Sequence, residues 1–117
     1  MNWTIEFYCD ENGVCQVQDF LKHIGDKKLK AKILHDIELL QKYGTKLTLP
    51  HVKYIGDEIW ELRTKQSSNI ARTLYFIFTG REIVLLNGFV KKKDRTPPEE
   101  KSRAIRFKEN YKRRKGR

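Results

Sequence analysis

The chain has 117 residues, of which 38% are hydrophobic and 34% are charged, and its formal net charge is +10. This length indicates a single domain over residues 1–117, and two Trp, five Tyr and six Phe argue against a disordered chain. No apolar run approaches the roughly 18 residues of a membrane span. The N-terminus has no signal-peptide pattern, so we expect a cytoplasmic protein with no membrane partner.

The first half of the chain predicts a strand and two helices. Apolar side chains alternate from Trp3 to Tyr8, which is typical of a strand. Apolar residues then recur at helical spacing up to Gly25, and again from Asp26, a predicted N-cap, to Gly44, a predicted stop. The two apolar faces consist of Val14, Val17, Leu21 and Ile24, and of Leu29, Ile33, Ile37 and Leu40. We expect these helices to form a hairpin.

The second half predicts an antiparallel meander followed by a helix. Short turns separate four runs of strand-forming residues, at 52–55, 59–65, 70–79 and 82–90. Thr96, Pro97 and Glu99 match a capping box with proline at the first helical position, so we expect a basic helix over 96–117. A narrow apolar stripe indicates that this helix is peripheral. The stripe consists of Ala104, Phe107 or Lys108, and Tyr111.

The predicted element order is β-α-α-β-β-β-β-α, an α+β fold in which helices pack on a twisted, mostly antiparallel sheet. We expect the helices to pack on one face of the sheet, unless they divide between the two faces, so the other face, or part of it, is open. Polar side chains on an open sheet face are candidates for a functional site.

The positive charge is concentrated in the last quarter of the sequence. Residues 91–117 contain 13 Lys and Arg against 4 Asp and Glu, a net charge of +9, whereas residues 1–90 contain 12 against 11. Such a local field attracts a polyanion, most often nucleic acid, although a solvated tail would have the same composition. The candidate RNA-binding side chains are Arg103, Arg106, Lys112, Arg113 and Arg114.

The cysteines and histidines do not indicate a metal site or a cofactor. Cys9 and Cys15 lack zinc-like or CxxC spacing, and a disulfide between them is possible but not required. His23, His35 and His51 have no ligand spacing, so we expect no metal.

Charged residues inside the predicted strands form the candidate catalytic site. Glu61 and Arg63 share one face of a strand, Arg72 lies in the next strand, and the run Lys91, Lys92, Lys93 ends the following one. Because neighbouring strands lie about 4.8 Å apart, these groups can converge on a phosphate-binding patch. The alternatives are an exposed ion pair between Glu61 and Arg63, a structural role for Arg72, and a solvated end for the lysine run.

Four sequence pieces resemble the RelE/ParE toxin superfamily, and within it the phage-derived HigB-like branch. They are residues 59–63 (IWELR), residues 72–75 (RTLY), residues 87–93 (NGFVKKK), which fit a GFxKK pattern, and Thr96-Pro97. The resemblance implies a RelE-like fold and a toxin of a bacterial type II toxin–antitoxin pair. It also implies ribosome-dependent mRNA cleavage, and neutralisation by a HigA-like, helix-turn-helix antitoxin.

The same resemblance implies roles for individual residues. Arg72 matches an arginine that contacts the scissile phosphate, and Arg63 matches a basic residue on the same surface. The lysines at 91–93 fall where the family places a second catalytic group, whereas Glu61 stands where some relatives have lysine. The catalytic tyrosine of the family has no clear equivalent, with Tyr111 a distant candidate.

The implied reaction is attack of a ribose 2′-OH on the adjacent 3′ phosphate, which requires RNA and no metal because the nucleophile is internal. Arg63 and Arg72 would stabilise the charged transition state. One of the three lysines would act as the general acid or stabilise the charge, and Glu61 would act as a base or orient Arg63. Two other classes remain open. They are a ParE-like toxin that inhibits DNA gyrase, and a nucleic-acid-binding domain without catalysis.

Overall fold

The computed structural model describes residues 2–91 and 95–115. Over these residues the chain forms five strands, three α-helices and one short 3-10 helix at Gly44–Lys46. The strands are β1 (Thr4–Phe7), β2 (Val52–Gly56), β3 (Ile59–Gln66), β4 (Asn69–Ile77) and β5 (Glu82–Lys91). The helices are α1 (Gln16–His23), α2 (Lys27–Tyr43) and α3 (Pro98–Lys115). The predicted α+β fold and element order are confirmed, and the architecture is compatible with a RelE-like fold.

The strands form one sheet in the order β1-β5-β4-β3-β2. The meander from β2 to β5 is antiparallel throughout, as the sequence predicts. The N-terminal strand β1 adds to the far edge, parallel to β5. The long connection that this parallel pairing requires runs through the helical hairpin and then through β2, β3 and β4.

The hairpin of α1 and α2 covers one face of the sheet. Buried apolar side chains from both helices pack there against the inward-facing residues of β2 to β5. Two glycines permit the close approach. A Cβ atom on Gly44 would lie 2.1 Å from the Trp3 ring, and one on Gly88 would lie 2.6 Å from the Phe20 ring. Gly44 also has a φ of +53° at the end of α2, where it is the predicted helix stop.

The third helix lies on the opposite face of the sheet, so the expectation that the helices cover one face is wrong. Ala104 and Tyr111 of α3 are buried in a second core cluster with Phe76, Leu74 and Val84 of the sheet. The expectation of a peripheral helix is wrong for the same reason. A narrow stripe is sufficient because Ala104 is small enough to bring the helix axis close to the sheet.

The start of α3 differs from the predicted capping box. The helix begins at Pro98, and the hydroxyl of Thr96 donates a hydrogen bond to the Glu61 carboxylate instead of capping the helix. A charged carboxylate is a strong acceptor for the hydroxyl proton. At α2, by contrast, Asp26 caps the helix as predicted and accepts a hydrogen bond from the Leu29 amide at 3.1 Å.

A disulfide joins Cys9 and Cys15 across the loop between β1 and α1. Within residues 2–91 and 95–115, no helix is long and apolar enough to cross a lipid bilayer.

Candidate functional site

The strand register brings three of the predicted catalytic residues together on the α3 side of the sheet. Arg63 of β3 is the direct cross-strand partner of Arg72 of β4, and Glu61 lies two residues before Arg63 on the same strand. Because side chains two residues apart in a strand point to the same face, Glu61, Arg63 and Arg72 form one cluster. We call these three residues the Glu61 cluster.

Glu61 lies between the two arginines and pairs with both. Its Oε2 atom is 3.5 Å from Nη1 of Arg72, and its Oε1 atom is 3.6 Å from Nε of Arg63. Two arginines directly opposite each other in a sheet repel, so the intervening carboxylate makes this register tolerable. The arrangement is more than an exposed i,i+2 pair, since it links two strands and the Thr96 segment.

Burial divides the Glu61 cluster into an inner and an outer part. Arg72 is 0% exposed and Glu61 is 1% exposed, whereas the Arg63 side chain is 24% exposed. The expectation that all these groups lie on a bare surface is therefore wrong for Arg72 and Glu61. A buried charge must be paired, and the ion pair between Glu61 and Arg72 meets that requirement. Arg63 is the member of the cluster that can contact a ligand in this conformation.

An open basic surface continues from Arg63 to the end of the sheet. In the last row that spans all three strands, Ile70 lies between Lys65 of β3 and Lys91 of β5, and both lysines are exposed. These lysines point to the same face as Arg63 because each lies two residues beyond the row of Arg63, Arg72 and Phe89. We call Arg63, Lys65 and Lys91 the strand-end patch. Lys92 and Lys93 lie outside the described residues.

A cleft of about 460 Å³ adjoins this patch at the edge of the sheet, where β2 has not yet begun. Its volume is in the range of small-molecule sites. We call it the edge cleft, and its lining residues are Lys32, Asp36, Pro50, His51, Arg63, Lys65 and Ile70.

Four side chains of the edge cleft were not predicted as site residues, namely Lys32, Asp36, His51 and Lys65. Lys32 and Asp36 lie on α2, far from β3 in sequence, and only the packing of α2 brings them to the cleft. The i,i+4 spacing of Lys32 and Asp36 was the one available signal, because it places both on a single helix face.

A second, smaller cleft of about 270 Å³ opens on the other side of Glu61. Three cationic side chains, Lys53, Arg95 and Lys101, line it together with Glu61 and Thr96. The Glu61 cluster therefore lies between two basic clefts, with Arg63 at one and Glu61 at the other. Both clefts have the positive lining that a phosphodiester chain requires.

The predicted RNA-binding cations all lie on α3, and several contact the protein itself. Arg103 donates to Gln16 at 2.7 Å and to Glu100 at 3.2 Å, and Lys112 donates to Glu58 at 2.8 Å. Arg114 donates to Asn110 and to the Cys9 carbonyl. Arg106 and Arg113 are exposed. The lysines near Glu58 also lower the pKa of its carboxyl, first through the hydrogen bonds that Lys112 and Lys108 donate.

Tyr111 lies away from the Glu61 cluster. Its hydroxyl donates to the carboxylate of Glu82, the first residue of β5, and its ring contacts those of Phe76 and Phe78. Burial raises the pKa of Tyr111, and the adjacent Glu82 carboxylate raises it further. Arg72 lies near the other end of β5, where it pairs with Phe89. Tyr111 is therefore a core residue that lies away from the cluster.

The fold and the cluster define an α+β protein with a basic site at one end of an antiparallel sheet. A family model described as phage-derived protein Gp49-like (DUF891) matches residues 19–109, which is more than three quarters of the chain. The protein belongs to this family, a RelE-like toxin family. No curated protein matches the chain significantly.

Proposed function

We propose that the protein is the toxin of a type II toxin–antitoxin pair and an endoribonuclease that cleaves mRNA on the ribosome. Membership of a RelE-like toxin family supports the first part. The net charge of +10 supports a polyanionic substrate. The partner that neutralises it is a HigA-like, helix-turn-helix antitoxin.

One observation carries the nuclease proposal. The Glu61 cluster holds Arg63 at the boundary between the protein interior and the strand-end patch, next to the edge cleft. A guanidinium group fixed at such a boundary is pre-oriented for a phosphate, and a guanidinium binds phosphate oxygens through two parallel hydrogen bonds. Pre-orientation is what allows an enzyme to stabilise charge as it develops.

The proposed reaction is an intramolecular transesterification. The ribose 2′ oxygen attacks the adjacent phosphorus, the bond from phosphorus to the 5′ oxygen breaks, and the 2′-OH proton leaves to a base. The leaving 5′ oxygen takes a proton from an acid, so the products are a 2′,3′-cyclic phosphate and a 5′-OH. Arg63 stabilises the added negative charge at the phosphoryl oxygens.

Two exposed groups near Arg63 are suited to the proton transfers. Lys91 lies on the strand-end patch and provides an ammonium proton for the leaving oxygen. His51 lines the edge cleft with Arg63 and provides an imidazole that accepts the 2′-OH proton. Lys92 and Lys93 follow Lys91 in the sequence and remain candidates for the acid.

In this proposal Arg72 and Glu61 are positioning residues. Both are buried, so the direct contact between Arg72 and the phosphate that the family resemblance implies is replaced by an indirect role. Arg72 neutralises Glu61 on its inner side, and Glu61 then orients Arg63. The α3 cations, of which Arg106 and Arg113 are exposed, bind ribosomal RNA through phosphate contacts.

The test is induced expression of the chain without an antitoxin, followed by primer extension on a translated message. The proposal predicts growth arrest with cuts that keep the reading frame. Arrest with an intact message and DNA damage would instead indicate a gyrase-inhibiting toxin. RNA binding without arrest would indicate a non-catalytic domain, and either result would overturn the nuclease proposal.

A further inference from the structure

The edge cleft contains a carboxylate that the proposed cleavage reaction does not use. Asp36 of α2 lines the cleft, and its Oδ2 atom accepts a hydrogen bond from the Thr64 hydroxyl at 2.7 Å. Thr64 is 1% exposed on β3, so its position is fixed by the sheet. A carboxylate can accept about four hydrogen bonds, so this single bond orients the group and leaves acceptor capacity directed at the cleft.

The rest of the cleft lining combines cations with apolar surface. Lys32 lies one helical turn before Asp36 on α2, and its Nζ atom donates to the Lys65 carbonyl at 2.8 Å. That bond places the ammonium group between α2 and β3, and Lys32 lines the cleft together with Arg63. Pro50 and Ile70 supply apolar surface against which a planar ring can pack.

This set of groups matches the parts of one nucleotide. The cations suit its phosphates, the apolar surface suits the face of its base, and a fixed carboxylate suits amino groups on the edge of the base. A volume of about 460 Å³ accommodates a single nucleotide. Because Arg63 lines both the strand-end patch and the cleft, a nucleotide in the cleft would be next to the phosphate at Arg63.

We infer that the edge cleft binds the nucleotide beside the cleaved bond and that Asp36 reads its base. Adenine, cytosine and guanine each present an exocyclic amino group from which Asp36 can accept. Uracil offers only an N3–H between two carbonyl oxygens, and these oxygens repel a carboxylate. The cleft therefore disfavours uracil at this position of the RNA. The inference takes RNA as the substrate from the proposed function, but binding of a nucleotide in the cleft can be measured without cleavage.

The structural role of Asp36 can be separated from base reading by one substitution. In Asp36→Asn the side-chain oxygen still accepts the Thr64 hydrogen bond, so α2 stays attached to β3. The second atom becomes an amide donor, which can pair with the uracil carbonyl groups. Glu38→Gln is the matched control, because Glu38 is exposed on the same helix and does not line the cleft.

The first experiment maps cut positions on a long translated message for the wild type, Asp36→Asn and Glu38→Gln. We expect uracil to be depleted at one fixed position beside the cut in the wild type and in Glu38→Gln. In Asp36→Asn, the use of uracil there should rise by roughly 5- to 100-fold relative to the other bases, the range of one base-edge contact. An unchanged base preference in Asp36→Asn would overturn the inference.

A second experiment gives a result even if the protein cuts no RNA. Adenosine and uridine 5′-monophosphates are titrated into isotope-labelled wild-type protein, and amide shifts are followed by NMR. Larger shifts with the adenine nucleotide at Asp36 and Thr64, lost in Asp36→Asn, would support base reading independently of cleavage. Equal responses to both nucleotides, or none near Asp36, would overturn it whatever the cleavage result.

Discussion

The α3-facing side of the sheet has two ends that are built from the same strands but carry opposite chemistry. At one end, Phe76 and Val84 lie under α3 with Tyr111 in an apolar cluster. At the other end, the strands carry Arg63, Lys65 and Lys91, and the surface is open. A register shift in the pairing of β4 with β5, between Leu74 and Tyr75, separates the two ends.

The difference between the two ends follows from where α3 begins. Its first turn is fixed near the middle of the sheet, where the Asn87 amide nitrogen donates to the Glu100 carbonyl at 3.2 Å and to the Glu100 carboxylate at 3.0 Å. From there the helix runs toward Glu82, and it leaves the other end uncovered. A helix that begins near the middle of the sheet thus covers one half of the sheet face and leaves the other half uncovered.

The largest predicted effect on stability is at the boundary between the two ends. Arg72→Ala removes the buried partner of Glu61 and leaves a cavity, so we expect a loss of about 3–5 kcal/mol in the free energy of unfolding, measured with urea. The double variant Glu61→Leu with Arg72→Met replaces the ion pair by apolar volume and should recover most of that loss. If Arg72→Ala unfolds at the wild-type midpoint, the pair does not hold this boundary.

At the open end, we expect a substitution to affect cleavage strongly and stability only slightly. Arg63→Ala should reduce mRNA cleavage about 10²–10³-fold, or by ~2.7–4 kcal/mol of transition-state stabilisation. Because Arg63 is partly exposed, its removal should cost only about 1 kcal/mol of stability. Lys28→Ala on the exposed surface of α2 is the control and should change neither quantity. Full cleavage by folded Arg63→Ala would remove Arg63 from the site.

The covered end gives a prediction on pH. The pKa of Tyr111 is raised in the folded protein, so folding favours the neutral phenol. The neutral phenol therefore contributes to stability at pH values below the pKa of tyrosine in the unfolded chain, about 10. The contribution is lost as pH rises above that value. We expect wild type to exceed Tyr111→Phe by about 1–2 kcal/mol near neutral pH and the difference to shrink above pH ~10. A difference that is constant from pH 7 to 11 would contradict this assignment.

The smallest effect is expected where α3 contacts the turn between β2 and β3. Lys108 and Lys112 both pair with Glu58, but its side chain is 63% exposed. Solvent therefore screens the pairs, and Glu58→Gln should cost less than about 1 kcal/mol. Because the pKa of Glu58 is lowered, the contribution is present above the unfolded value of about 4.3 and lost at lower pH. Urea unfolding of the wild type and Glu58→Gln at pH 7 measures the cost of the substitution, and the same comparison at pH 3 measures its loss.

The sequence predicted the elements well because their signals are local. Asp26 and Gly44 bound α2 as expected, and the turn residues placed the strands of the meander within two or three residues. The β1 pairing and the position of α3 depend on contacts between distant parts of the chain. A thin stripe such as Ala104 and Tyr111 does not indicate that a helix covers a sheet face, since burial depends on what lies beneath it.

The grouping of Glu61, Arg63 and Arg72 was predictable from the sequence, whereas their burial was not. Alternation within β3 placed Glu61 and Arg63 on one face, and strand pairing brought Arg72 beside them, as predicted. No local pattern indicated that Thr96 would bond to Glu61 or that Arg72 would be fully buried. The edge cleft was missed because Asp36 reaches it only through the packing of α2.

The central claim is that RNA is cut through its own 2′-hydroxyl at the open end of the sheet. The direct measurement uses a translated message with a single 2′-deoxy substitution at a mapped cut position, treated with the purified protein and ribosomes. We expect that the substituted position is not cut, while neighbouring sites yield 2′,3′-cyclic phosphate ends. Continued cutting at the 2′-deoxy position would contradict it.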